Sequence, residues 1–163
     1  MSTVVLGAVA AVFASVLPAD AGTSITFAGA PGAFPVDGAS GAWATPELEP
    51  RIWEYDNVIK FDSDSYNGHG FDWLAIELSG AGGAPLAPGT YTGVTNRYQH
   101  PDNVGIQVIW NGLGCGDDTA EFTITTLERD EDTGRLTAFD ADITQRCGAA
   151  DGPVFTAALH HRG

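Results

Sequence analysis

Glycine or proline interrupts this chain about every eight to twelve residues, a spacing that suits short strands joined by turns and disfavours long helices. Of the 163 residues, 21 are glycine and 9 are proline. Between the breaks, apolar side chains recur at every second position. Val104, Ile106, Val108 and Trp110 form one such series, and Leu74, Ile76 and Leu78 another. A period of two puts them on one face of a pleated strand, turned toward a core. The pattern predicts strands over 23–28, 52–55, 57–62, 71–79, 90–96, 104–110, 119–128, 136–144 and 154–160. Residues 29–50, rich in Gly, Ala and Pro, read as an irregular N-terminal arm. The expected fold is all-β: a two-sheet antiparallel β-sandwich of Greek-key or jelly-roll type with one disulfide.

The N-terminal residues carry the compartment argument. An apolar stretch from Val4 runs to Pro18 and the small-residue triplet Ala19-Asp20-Ala21, which reads as a signal-peptidase site. Residues 1–21 are therefore read as a signal peptide, atypical in lacking a Lys or Arg ahead of the apolar run, and residues 22–163 as a single domain. The apolar run is too short, and too soon broken by Pro18, to serve as a bilayer span, which takes roughly 20 residues. No membrane insertion of the mature chain is expected. Cys115 and Cys147 lie in glycine-rich turns at strand ends, where the backbone lets two sulfurs meet. A bridge between them closes a loop of about 33 residues and fits an oxidising, secreted or extracytoplasmic setting. Neither has a Cys or His partner at metal-ligand spacing.

Charge narrows the partners. Asp and Glu number 21 against 7 Lys and Arg, for a formal net charge of −14. Such a chain repels phosphate backbones and anionic lipid, so nucleic-acid binding is not expected. Cations suit it as partners, although a solvated acidic surface also serves solubility alone.

One stretch resembles a known pattern. Trp73-Leu74, the Leu86-x-Pro88-Gly89-x-Tyr91 turn, Arg97, Gly112-x-Gly114-Cys115, Phe122-x-Ile124, Phe139-x-Ala141 and Gln145-x-Cys147 together resemble uncharacterised secreted bacterial β-sandwich domains. The likeness covers roughly residues 71–156. It implies a sandwich fold, secretion and a disulfide, and it brings no activity and no catalytic residue.

Motifs for catalysis are weak. Asp132-Thr133-Gly134 matches the aspartic-protease triplet, but it follows the charged run Glu128-Arg129-Asp130-Glu131, where a dry carboxylate pair cannot form, and it reads as a turn. No Gly-x-Ser-x-Gly elbow is present. Glu77, Glu121, Asp140 and Asp142 are strand carboxylates, with Asp140 and Asp142 on one face. They keep open a small glycosidase-like extracellular hydrolase, which needs two carboxyls about 5 to 9.5 Å apart. The leading expectation is a non-catalytic binding module for a carbohydrate, a cell-envelope component or a protein.

That expectation rests on rings. Trp43, Trp53, Tyr55, Tyr66 and Tyr98 are singled out as ligand-binding side chains, because rings left exposed on a sandwich stack on sugars or pack on a partner. Trp73 and Trp110, in the most apolar strands, are assigned to the core. The segment 60–73 raises a last question. Asp62 and Asp64 occupy the first and third positions of an EF-hand loop, but Tyr66, Asn67 and Trp73 stand where that loop needs an oxygen ligand, Gly and Glu. Asp62, Asp64 and Asn67 are retained as a calcium ligand set, against the plainer reading of the segment as a strand connection.

Overall fold

A computed structural model describes residues 22–66 and 70–163. The proposed signal peptide, and Asn67 of the calcium set, lie outside the described residues. Eleven strands form: β1 (Gly22–Gly29), β2 (Ser40–Ala44), β3 (Arg51–Tyr55), β4 (Val58–Tyr66), β5 (Phe71–Ser79), β6 (Gly89–Asn96), β7 (Gly105–Trp110), β8 (Leu113–Gly114), β9 (Asp118–Arg129), β10 (Leu136–Cys147) and β11 (Val154–Arg162). Among the described residues the one helical turn is a 3-10 piece at Ala81–Gly83.

The strands hydrogen-bond along one path, β2-β1-β11-β10-β9-β6-β7-β5-β4-β3, with β8 on β7. The expected two separate sheets are thus one curled sheet. The reason lies in β6. Gly89 to Val94 pairs antiparallel with β9, whereas Thr95 and Asn96 pair parallel with β7. Gly93, at φ +63°, sits in the irregularity between Tyr91 and Val94, where a residue with a side chain is strained. One strand therefore belongs to both halves.

The halves face each other over one core. Ile25 and Phe27 of β1, Phe122 and Ile124 of β9, Phe139 and Ile143 of β10 and Phe155 of β11 meet Ile59 and Phe61 of β4, Leu74 and Ile76 of β5 and Val108 of β7 in a single buried cluster. Full burial of each such side chain is worth about 1.5–3 kcal/mol. Phe27 packs on Trp43 of the neighbouring strand at a centroid distance of 4.9 Å, and across the gap both meet Trp110, at 5.6 and 6.1 Å. At the far rim, Arg129 of β9 grips Glu54 of β3 with two bonds, Nε to Oε2 at 2.5 Å and Nη2 to Oε1 at 2.8 Å. Such a two-pronged pair fixes geometry as well as charge.

Two readings of the sequence are corrected here. The arm at 29–50 contains β2, which pairs with β1 from Ser24↔Ala44 to Ala28↔Ser40. Residues 62–66, read as part of a connection, continue β4, and Asp62 and Asp64 pair with Ala75 and Trp73 of β5. Alternation Asp-Ser-Asp-Ser-Tyr hid a strand, because its inward residues, Ser63 and Ser65, are polar. The Asp132-Thr133-Gly134 triplet is a turn, held by Asp130 Oδ1 accepting from Thr133 N and Oγ1 at 2.8 and 2.6 Å.

The disulfide forms between Cys115 and Cys147, with Cα atoms 5.6 Å apart. Beside it lies a buried polar knot. Asn96 Nδ2 lies 2.7 Å from Gln107 Oε1, 2.8 Å from the Cys115 carbonyl and 2.8 Å from Asp118 Oδ2. Gln145 Nε2 donates to Asp118 Oδ1 at 2.7 Å. These side chains satisfy polar groups where the sheet splits around β6, which an apolar filling would strand.

Candidate ligand-binding face

The outward positions of β3, β4 and β5 form one face. On β3 they are Arg51, Trp53 and Tyr55, and in register beside them on β4 stand Asp62, Lys60 and Val58. Further along β4, Tyr66 pairs with Phe71 and Asp64 with Trp73 on β5, and Glu77 stands opposite Lys60. Trp53 is 39% exposed, Tyr55 71%, Tyr66 77% and Phe71 58%. Such exposure is costly for rings unless something outside uses it. A depression of about 360 Å³ lies at Arg51, Ile52 and Trp53 on the edge strand.

Tyr98, also exposed, hangs over this face on a scaffold of its own. Its hydroxyl donates to Glu77 Oε2 at 2.6 Å, its backbone N–H donates to Asn96 Oδ1 at 2.9 Å, and the Arg97 guanidinium lies 4.5 Å from its ring centroid. Arg97 Nη1 also binds Glu77 Oε2, and Lys60 Nζ donates to Glu77 Oε1 at 3.0 Å. Burial pushes the Glu77 carboxyl up, but the Tyr98 and Lys60 hydrogen bonds and the charges of Arg97 and Lys60 outweigh it, leaving it below its ordinary value. Burial and the Glu77 carboxylate raise the Tyr98 phenol. One ring face of Tyr98 is thus pinned on Arg97, and the ring is held in one orientation while its residue stays exposed.

Arg97 can lie there because residue 105 is glycine. A Cβ on Gly105 would stand 2.5 Å from Arg97 Cβ and 2.7 Å from its Cα. Gly105→Ala is expected to cost about 1–3 kcal/mol in urea denaturation, as overpacking does, and to return the Tyr98 phenol toward its ordinary titration. An unchanged midpoint with an unchanged phenol titration would refute this role.

The other expected residues fall elsewhere. Trp43 lies on β2, not in a loop, and is 7% exposed. Packing against Phe27 and Trp110 withdraws it from any surface role. Trp73, assigned to the core, instead shares the outward face of Glu77 and is half-buried, while Trp110 packs on the core as expected. Asp62 and Asp64 occupy successive outward positions on β4, about 7 Å apart along the strand. Among the described residues no group of three or more His, Cys, Asp or Glu is placed to hold a metal ion.

Sequence reasoning missed two constellations. The Glu77–Lys60–Arg97–Tyr98 cluster spans three separate segments and had no local signal. On the opposite half, Asp140 accepts from Arg162 Nη2 at 2.5 Å and lies 2.6 Å from His160 Nδ1, so His160 is held in the ladder. Burial raises the Asp140 carboxyl, and the bonds to Arg162, Thr126 and His160 overcome that and hold it below the ordinary range. A strand pairing of Asp140 with His160 places them side by side. No known family model, curated protein or solved structure matches this chain.

Proposed function

We propose that the protein is a secreted, non-catalytic binding module that takes a carbohydrate of its surroundings on the outward face of β3, β4 and β5. The observation that carries the reading is the gathering of Trp53, Tyr55, Tyr66, Phe71 and the pinned Tyr98 on one side of the fold, all exposed. Exposed rings match the apolar faces of sugars, and their hydroxyl and indole groups match sugar hydroxyls. In this reading the halves of the curled sheet act as sandwich layers, one of them lending its outer side to the ligand. The disulfide supports an oxidising location. That no described helix is long and apolar enough to cross a membrane is compatible with it.

A hydrolase acting through a carboxylate pair is less well supported. A general acid needs a raised carboxyl facing substrate, yet Glu77 and Asp140 are both lowered by their cationic and hydroxyl partners. The test is affinity electrophoresis of the mature protein through gels containing soluble polysaccharides, with Trp53→Ala and Tyr98→Ala alongside. Each truncation is expected to weaken retardation about tenfold, the worth of one stacked ring. Retardation indifferent to both variants, or absent from every polysaccharide, refutes the reading.

A further inference from the structure

Resting on that reading, we propose that the ligand is a polysaccharide bearing free, protonated amino groups, laid along β4. The rings stand in two groups at the ends of this strand. Trp53 and Tyr55 flank Lys60 and Val58, and Tyr66 and Phe71 pair at the other end. Lys60 to Tyr66 spans about 20 Å at ~3.3 Å per residue, room for several sugar units. Between the groups the strand presents carboxylates. Asp62 and Asp64 point outward there, and beyond the first group Asp56 follows Tyr55 in the tight turn into β4, at φ +52°.

The basic groups of the face do not offset them evenly. Lys60 and Arg97 are both spent on Glu77, which leaves Arg51, opposite Asp62 in register, as the remaining cation among the described residues of β3, β4 and β5. Behind the face stands the charge of the whole chain, −14. That field repels uronic, sulfated or phosphorylated glycans and draws in cationic ones. An ammonium on a sugar stacked over Trp53 or Tyr66 meets both a ring face and a carboxylate, two attractions that act together on cations. A neutral chain gains only the stacking.

The test compares a chitosan hexamer with the fully N-acetylated hexamer of the same backbone, by calorimetric titration of the mature protein below pH 6 and at low salt. The amine-bearing hexamer should bind about tenfold more tightly, the sum of two or three exposed charge contacts, and this advantage should shrink with added salt. Asp62→Asn with Asp64→Asn should remove the advantage, bringing the affinity for the amine-bearing hexamer to that for the acetylated one. Trp53→Ala with Tyr66→Ala should weaken both ligands, which separates stacking from simple polycation capture. Equal affinity for the two hexamers, or an advantage that survives the Asp variants, overturns the amine inference while the binding face stands. Binding of neither hexamer overturns this inference and leaves the binding reading to the gel test, whereas binding indifferent to the ring variants overturns both together.

Discussion

Replacing Cys115 and Cys147 by serine is expected to cost about 3.5–4 kcal/mol, a large share of the stability of a domain this size. The bridge spans a sequence separation of 32, and the chain-entropy cost of that loop alone gives this value. Two features place the effect at the centre of the fold. Cys115 is 3% exposed, and its carbonyl accepts from Asn96 and Gln107 at 2.8 and 3.2 Å. Loosening residue 115 therefore also loosens the polar knot where β6 parts from β9 to join β7. The check is urea denaturation of the double variant against the parent, and of the parent with and without reductant. A loss below about 1 kcal/mol in both comparisons would show that the bridge merely decorates a sheet already locked without it.

Asp118→Ala is expected to cost about 3 kcal/mol, and Asp118→Asn to cost little or even to stabilise near neutral pH. Asp118 is 3% exposed and accepts from Asn96 and Gln145. Alanine strands the Gln145 donor and leaves a hole. Asparagine keeps the shape, removes a buried charge and, with the Gln145 amide turned over, donates to Gln145 Oε1, so the knot keeps one unpaired Gln145 atom as in the native state. Burial raises the Asp118 carboxyl against the lowering pull of the Asn96 and Gln145 hydrogen bonds. A raised carboxyl means that the native state binds more protons than the unfolded one just above the ordinary value of 3.8. The Asp118 contribution therefore declines as pH rises from about that value through the raised folded value. Glu77 and Asp140, lowered, act in the opposite sense, with stability present above their ordinary values and lost as pH falls. Urea midpoints of parent and Asp118→Asn across this acidic range should diverge in favour of the variant as pH rises, then run parallel. If Asp118→Asn is as damaging as Asp118→Ala at neutral pH, the charge itself is a required part of the knot.

Much of the architecture was legible from local pattern, because pleating forces side chains to alternate whatever the rest of the chain does. The runs at 71–79 and 136–144 announce their strands through Leu74, Ile76, Leu78 and through Phe139, Ala141, Ile143. Where alternation is written in polar residues, as in Ser63 and Ser65, or in alanine and glycine, as in β2, the signal fails although the strand is real. The cysteine pairing was equally legible, since a chain with two cysteines leaves one choice of partner.

Exposure was not legible, and with it most of the candidate site. Trp43, among Gly and Ala, is buried against Phe27 and Trp110, and Trp53, next to Ile52, stands at the open edge, because only the curl of the sheet decides which rings it covers. The clamp on Tyr98 depends on Glu77, Lys60, Arg97 and Gly105, brought together by strand register between segments far apart in the chain. Alternation along a strand is a property of a few consecutive residues, so this sequence determined by itself where its apolar-patterned strands run and which side their aliphatic residues turn inward. What those sides meet is a property of the closed sheet, so the tertiary structure alone decided that β6 serves both halves, that five rings share one outer face, and that carboxylates lie between them.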